Sequence, residues 1–82
     1  MTKEDVEQRI FNHIEDAQVQ VADTTGTGDH FSAVVISDTF SGKSLLQRHQ
    51  LVYASVSDVL TGELHALQLK TYTIKEWNNS RK

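Results

Sequence analysis

The sequence contains no cysteine. It therefore excludes a disulfide, a cysteine-based zinc finger and a thiol nucleophile within this chain. Any metal must be held by histidine or carboxylate side chains, or by thiols that a partner protein supplies.

Long apolar runs are also absent, because no segment approaches the roughly 20 apolar residues that a membrane-spanning helix needs. The N-terminal segment mixes charges and then becomes amphipathic, which is unlike a secretory signal or a transit peptide. We therefore expect a cytoplasmic protein that does not engage a membrane. With 82 residues, 38% hydrophobic and 23% charged, the composition is typical of one small globular domain spanning residues 1–82.

The chain has no excess of positive charge, since its formal net charge is −3 at pH 7. This balance argues against a protein whose whole surface binds a nucleic acid backbone, because such binding needs clustered Lys and Arg. The cations that could form a local basic patch are Lys43 with Arg48, Lys70 with Lys75, and Arg81 with Lys82.

The most informative stretch lies between Ser37 and Leu60. Its apolar residues recur at helical spacing, at Leu45, Val52, Val56 and Val59, with Leu46, Tyr53 and Leu60 one step round the helix. The spacing predicts a helix with one broad buried stripe. Gly42 permits a positive φ in the preceding turn, Ser44 can cap the first helical turn, and Thr61-Gly62-Glu63 predicts the end of the helix.

The remaining elements can be placed by their periodicity. Thr2 and Asp5 predict the start of a first helix, whose buried stripe contains Val6, Ile10, Ile14 and Ala17 with Phe11 beside them. The segments with strand patterns are Gln18–Asp23, Phe31–Ser37 and His65–Tyr72, the first two joined as an antiparallel hairpin by a flexible glycine loop at 24–30. A helical turn is expected at 38–40, and Thr73 with Glu76 predicts a short last helix carrying Trp77, followed by a frayed tail over 78–82.

These elements follow the order αββ(α)αβα. They predict an α+β domain in which helices cover one face of a three-stranded sheet.

Two short motifs fail as nucleotide or RNA sites. Gly42-Lys43-Ser44 resembles the end of a phosphate-binding loop, but the first glycine of that motif is replaced by Ser37. The turn at 40–44 also lacks the GXXG pattern that clamps RNA in KH domains. The sequence shows neither a serine in a nucleophile elbow nor an identifiable pair of carboxylates, so we do not expect an enzyme.

The four histidines have different settings. His49 falls on the central stripe, where we expect a core histidine with a satisfied hydrogen bond, flanked on the solvent side by Arg48 and Gln50. We expect His13 to be solvated. His30 ends the glycine loop and His65 opens a strand, so both can reach the rim of the domain, although two such distant histidines are more often solvated surface groups than metal ligands.

The run Phe-Ser-Gly-Lys-Ser-Leu-Leu-Gln-Arg-His-Gln-Leu-Val-Tyr at 40–53 carries a resemblance to a known family. It is preceded by Val-Ile-Ser at 35–37 and followed by His-Ala-Leu at 65–67, Thr-Tyr-Thr at 71–73 and Glu-Trp at 76–77. In this order and spacing the chain resembles the BolA family over nearly its whole length. The resemblance implies a BolA-like fold related to type II KH domains.

The same resemblance implies a metal-binding role. In this family a histidine of the His-Ala-Leu segment is a ligand of a 2Fe-2S cluster shared with a monothiol glutaredoxin, and the loop between the first two strands supplies a second ligand in many members. These positions match His65 and His30, which is the histidine-loop type, and His49 stays open as the alternative second ligand. The glutaredoxin and glutathione would supply thiolates to one iron and this chain imidazoles to the other, so the isolated chain is expected to hold no cofactor.

The family signature also includes Lys43, Arg48 and His49, which are the candidate partner-binding residues. Arg48 either pairs with acidic groups of the glutaredoxin or is solvated, while His49 is expected to orient the helix. One departure is Ile74, where the family usually has proline, and it raises the question of how the chain turns after the last strand.

The sequence therefore predicts an adaptor that binds a monothiol glutaredoxin and co-ligates its cluster, and that is a monomer or weak homodimer when alone. A DNA-binding transcriptional regulator that uses Lys43, Arg48 and Lys70 is the alternative. A third possibility is a chain that mainly binds and modulates the glutaredoxin without its cluster.

Overall fold

The structure is a computed structural model that describes residues 1–60, 64 and 66–80. Its elements are α1 (Lys3–His13), β1 (Gln18–Asp23), β2 (His30–Ile36), a 3-10 helix (Asp38–Phe40), α2 (Leu45–Ala54), β3 (Ala66–Tyr72) and α3 (Ile74–Ser80). The order and the α+β class agree with the sequence prediction. Among the described residues, no helix is both long and apolar enough to cross a bilayer.

Each α-helix begins where a side chain satisfies the free amides of its first turn. Thr2 and Asp5 form a capping box at α1, and Ser44 does the same with Gln47 at α2. At α3 the amide of Thr73 donates to Glu76 at 2.9 Å, while the amide of Glu76 donates to the Thr73 hydroxyl at 3.2 Å. Because each box satisfies two otherwise unpaired donors, these short sequence motifs fix the helix starts.

The sheet is mixed, with the strand order β1-β2-β3. β1 and β2 form the predicted antiparallel hairpin, in which Gln18 lies opposite Ile36 and Asp23 opposite Phe31. β3 runs parallel to β2, with His30 opposite Ala66 and Ile36 opposite Tyr72. The parallel pairing requires a crossover between the two strands, and the segment containing α2 provides it.

The helices α1 and α2 cover one face of this sheet. The buried core is formed by Val6, Ile10, Ile14, Ala17, Phe31, Ala33, Val35, Phe40, Val52, Val56, Leu64 and Leu67. At the far end of β3, α3 contacts the sheet through Trp77, whose ring meets that of Tyr72 edge-on with centroids 5.2 Å apart.

The central helix is shorter than its hydrophobic pattern predicts. α2 ends at Ala54, and residues 55–59 continue as turns, in which the amides of Ser55, Val56 and Val59 donate to carbonyls three residues earlier. The hydroxyl of Ser55 donates to the carbonyl of Val52 at 2.5 Å, and that of Ser57 to Ala54 at 3.2 Å. Serine side chains that bond nearby carbonyls compete with the helical pattern, which explains the early end. The predicted stop at Thr61-Gly62-Glu63 lies outside the described residues.

Three apolar residues that the sequence places on or beside the buried stripes are exposed instead. Leu45 and Leu46 are 64% and 68% exposed, and Phe11 is about half exposed. Leu45 lies seven residues before the buried Val52, on the same side of the helix. Its exposure shows that helical spacing alone did not place this side chain in the core.

The predicted frayed tail is wrong for its first part, because residues 78–80 belong to α3. The capping box at Thr73 and the Trp77 contact hold this helix in place. Arg81 and Lys82 lie outside the described residues.

Candidate functional site

The loop between β1 and β2 is held by the carboxylate of Asp23. Asp23 accepts backbone hydrogen bonds from Gly26 and Gly28, both at 2.9 Å, and from Thr25 at 3.3 Å. The loop is closed at its base because the amide of Thr24 donates to the carbonyl of His30 at 2.9 Å. The sequence predicts only a flexible glycine loop here, whereas the structure shows a hydrogen-bonded one.

The two glycines of this loop adopt φ values of +75° at Gly26 and +77° at Gly28. Gly28 also lies against the N-terminal residue, since a Cβ built on it would be 2.6 Å from the carbonyl oxygen of Met1. Only glycine allows this close approach together with a positive φ.

His30 is the first residue of β2 and places its imidazole at the end of this loop. Its side chain is 42% exposed, and its Nδ1 lies 2.9 Å from Oδ1 of Asp29. The hydroxyl of Thr27 donates to the same carboxylate oxygen, and that of Thr25 donates to it at 3.4 Å. A metal-binding histidine commonly gives its second ring N–H to a carboxylate, so this donor set fits the ligation of iron by imidazole.

The beginning of β3 lies beside His30. Ala66 is its parallel register partner, and the amide of Ala66 donates to the carbonyl of Asp29 at 3.1 Å. His65, the other predicted ligand, directly precedes Ala66 in the chain and lies outside the described residues. In the described ranges, no group of three or more His, Asp or Glu side chains is arranged to hold a metal ion.

Arg48 lies between α2 and α3. It was predicted to face solvent, but it does not. Its guanidinium binds both carboxylate oxygens of Glu76, at 2.6 and 3.2 Å, and its Nε donates to the carbonyl of Lys43 at 3.0 Å. The Arg48 side chain is 13% exposed. The solvated alternative for Arg48 is therefore wrong, because this residue joins two helices within the chain.

The hydrogen bond from Arg48 is also the main reason why the pKa of Glu76 lies below its usual value, with a further contribution from the amide of Thr73. Lys43 is exposed and donates through Nζ to the carbonyl of Thr39 at 2.9 Å. The partner-binding roles of Lys43 and Arg48 stay predictions.

The family of the chain follows from its sequence. A sequence model described as BolA-like protein matches residues 3–76. The chain belongs to the BolA family. It is 34% identical over 84 residues to the DNA-binding transcriptional regulator BolA of Escherichia coli K12, covering 94% of this chain and 80% of that protein.

Other relatives differ in length. BolA-like protein 1 of Bos taurus is 42% identical over 55 residues, which cover 67% of this chain and 41% of the bovine protein. The solved structure of a bolA protein homologue from Coxiella burnetii is 38% identical, with a TM-score of 0.82 and coverage of 95% of this chain and 97% of that one. The BolA-like fold predicted from the sequence is confirmed.

In this BolA-like domain His49 is half-buried, but it is not the satisfied core histidine that we expect from the sequence. Its Nε2 is inaccessible to solvent and has no hydrogen-bond partner among the described residues. Its ring lies edge-on to that of Tyr53, with centroids 6.4 Å apart. The hydroxyl of Tyr53 donates to the carbonyl of Leu67 at 2.7 Å, so the tyrosine is anchored to β3. A partner-binding role for His49 stays a prediction.

The departure from the family at Ile74 is accommodated by a backbone contact. Ile74 is the first residue of α3, and its amide lies 3.3 Å from Oδ1 of Asp38, to which it donates. A proline at this position has no N–H to donate, but it is well tolerated at the start of a helix. The isoleucine therefore leaves α3 in place and adds a contact to the 3-10 helix.

His30 could be predicted from the sequence, whereas the acidic residues that organise its loop were not predicted. Asp23 and Asp29 stand at the two ends of the Thr/Gly segment. Aspartate is enriched in turns because its carboxylate bonds nearby amides. This signal was available and would have indicated an ordered loop.

Proposed function

We propose that this BolA-like chain is a non-enzymatic adaptor that binds a monothiol glutaredoxin and co-ligates a 2Fe-2S cluster through His65 and His30. Its role would lie in iron-sulfur cluster trafficking and in iron or redox regulation. Glutaredoxin and glutathione would supply the thiolates that a cysteine-free chain lacks. Histidine ligation of one iron raises the potential of such a cluster.

The observation that carries the proposal is the position of His30. It is half-exposed at the junction of the loop and β2, its Nδ1 contacts the Asp29 carboxylate, and its register partner is Ala66. The residue before Ala66 in the sequence is His65, the other ligand of this proposal. His30, being half-exposed, is therefore accessible from solvent to the iron of a cluster that the glutaredoxin holds.

The test is reconstitution of the cluster with both proteins, iron, sulfide and glutathione. We expect a heterodimer whose visible circular dichroism differs from that of the glutaredoxin cluster alone. His65→Ala and His30→Ala should each alter this spectrum. An unchanged spectrum for His65→Ala would reject His65 as a ligand, and the same result for His30→Ala would reject His30.

Two further histidines provide controls for this experiment. His13 is exposed on α1, so His13→Ala should leave the spectrum unchanged. His49 has an inaccessible Nε2, so His49→Ala should also keep the spectrum of the cluster, even if it weakens partner binding. A spectral change with His49→Ala, together with an unchanged spectrum for His30→Ala, would make His49 the second ligand in place of His30.

The complex could also form without a shared cluster. If this chain mainly binds and modulates apo glutaredoxin, the double variant of His30 and His65 should retain full affinity for the partner. Titration calorimetry with apo and cluster-loaded glutaredoxin separates this case, because co-ligation predicts tighter binding to the loaded form only while both histidines are present.

The second candidate function is DNA binding, which is favoured by the name of the Escherichia coli relative. Its motivating residues are Lys43, Arg48 and Lys70. Arg48 is already paired with the Glu76 carboxylate, which leaves less positive charge for a phosphate backbone than the sequence alone indicates. Lys43 keeps its charge, because its Nζ donates to the neutral carbonyl of Thr39. If the chain does bind DNA through these cations, its affinity for duplex DNA should fall steeply as the salt concentration rises. No detectable duplex binding at low salt would exclude this function.

A further inference from the structure

We infer that Asp29 is a positioning residue that holds the His30 imidazole by Nδ1 and thereby presents Nε2 to a metal. The inference rests on the proposed role of His30 as a ligand. It adds to that role a specific proton position on the ring, which can be measured without glutaredoxin or iron.

The geometry of the pair determines the direction of the hydrogen bond. Nδ1 of His30 lies 2.9 Å from Oδ1 of Asp29. An ionised carboxylate only accepts hydrogen bonds, so Nδ1 must be the protonated nitrogen of a neutral ring in this contact. The nitrogen that keeps its lone pair, and can therefore bind a metal, is then Nε2.

Asp29 is itself held at both its side chain and its backbone. Its Oδ1 receives the hydroxyl of Thr27 and, at 3.4 Å, that of Thr25, and these two hydroxyls lie 2.6 Å apart. Its carbonyl accepts the amide of Ala66 at 3.1 Å, which ties the residue to β3. The carboxylate is thus placed before any metal arrives, and it fixes the orientation of the imidazole as well as its tautomer.

The first measurement is the tautomer of each histidine in the isolated chain. Two-bond 1H-15N correlation spectra distinguish Nδ1–H from Nε2–H, and they should be recorded at a pH where the rings are neutral. We expect Nδ1–H for His30. We expect Nε2–H, the form favoured for imidazole in water, for the exposed His13 in the same sample. An Nε2–H tautomer at His30 would overturn the inference.

Substitutions at position 29 test whether Asp29 determines the tautomer of His30. Asp29→Ala removes the acceptor, so His30 should change to the Nε2–H tautomer. Asp29→Asn keeps an acceptor oxygen that the Thr27 hydroxyl can orient, so His30 should retain Nδ1–H. Retention of Nδ1–H in Asp29→Ala would overturn the inference. If Asp29→Ala fails to fold, as its amide spectrum would show, the tautomer of His30 in the unmodified chain and in Asp29→Asn still tests the inference.

The reconstituted complex links this positioning to the proposed function. Asp29→Ala should shift the visible circular dichroism of the shared cluster, whereas Asp29→Asn should leave it close to that of the unmodified complex. If His30→Ala leaves the complex unchanged, His30 is not a ligand and the proposed function fails at that residue. If instead His30→Ala has an effect and Asp29→Ala has none, only the positioning role fails.

Discussion

At the scale of single residues, the half-buried His49 shows a polar atom that the fold does not satisfy. Its Nε2 is inaccessible and without a hydrogen-bond partner in the described part of the chain. A buried polar group left in this state costs about 1–3 kcal/mol, whereas an apolar side chain of similar shape avoids that cost. Such a group lowers stability, so a functional reason for keeping it is expected. The predicted role of His49 in partner binding would be such a reason.

We therefore predict that His49→Leu raises the free energy of unfolding by about 1 kcal/mol. Urea denaturation measures this change. His13→Leu is the control, and it should alter stability by less than about 0.5 kcal/mol because His13 is exposed. A loss of stability in His49→Leu would show that Nε2 has an unseen partner such as an ordered water. Weaker glutaredoxin binding by the stabilised variant would support the predicted partner role.

Two glycines of one loop offer a matched comparison. Gly26 and Gly28 have nearly the same positive φ, but the space beside Gly26 is open, whereas Gly28 approaches the carbonyl of Met1. Gly26→Ala should cost about 1 kcal/mol, the penalty of a left-handed conformation. Gly28→Ala should cost clearly more, because its Cβ would also displace the Met1 backbone. Thermal unfolding of both variants tests this, and equal losses would show that Met1 moves away freely.

At the scale of elements, the contact between α2 and α3 depends on the bidentate pair of Arg48 and Glu76. The Arg48 side chain is far less exposed than that of Arg9, which pairs with Asp58 at 2.6 Å. Solvent screens exposed ion pairs more strongly, so the two pairs should differ in strength although their distances are alike.

We predict that a double-mutant cycle with Arg48→Met and Glu76→Gln gives a larger coupling than the same cycle on Arg9 and Asp58. The coupling at Glu76 should vanish in acid, since its lowered pKa means that the carboxylate form is the one stabilised by folding. The coupling is obtained from the denaturation midpoints of the four proteins in each cycle. Equal couplings would indicate that the Arg48 pair is screened as strongly as the exposed one.

The elements also show what can be predicted from a sequence. Capping motifs at Thr2, Ser44 and Thr73 correctly predict three helix starts, because each is a local hydrogen-bonding arrangement that needs no distant partner. Helix ends and exposed apolar residues were predicted less well. Leu45 follows a correct helical spacing, but whether it is buried depends on how far the sheet extends beneath the helix, which spacing does not encode.

In the candidate site too, a residue could be predicted from the sequence, but its contacts with distant segments could not. The family motif indicated His30, yet its Nδ1 contact with Asp29 and its parallel register with Ala66 depend on folding. The parallel pairing of β2 with β3 brings together residues that are 36 positions apart in sequence. Hydrophobic periodicity predicts strands but not which strands are neighbours, so only the assembled sheet shows what surrounds His30.

At the scale of the whole molecule, several carboxylates tie distant segments together through hydrogen bonds. One of them is Asp16, which accepts from the hydroxyl of the buried Ser37 at 2.6 Å and from that of Thr39 at 3.0 Å. Four carboxyl groups of the described residues have a pKa below the usual value: Asp5, through the amide of Thr2; Asp16, through the Ser37 hydroxyl; Asp58, through Arg9; and Glu76, through Arg48.

These four shifts act in the same direction. A carboxyl group with a lowered pKa in the folded state binds protons more weakly there than in the unfolded chain, so protonation favours unfolding. The stabilisation is fully present above the usual pKa values of 3.8 for Asp and 4.5 for Glu, and it is lost as the pH falls through the lowered values.

We predict that these carboxylates make the melting temperature fall steeply from about pH 5 towards pH 3. Far-ultraviolet circular dichroism measures this profile. A variant with Asn at positions 5, 16 and 58 and Gln at 76 should melt lower at pH 7 and fall less in acid, because the linked protons have been removed. The charge repulsion that comes from eight Lys and Arg and four protonated His remains in both proteins, so the comparison isolates the hydrogen-bonded carboxylates. Parallel profiles would contradict the prediction and assign acid unfolding to net charge instead.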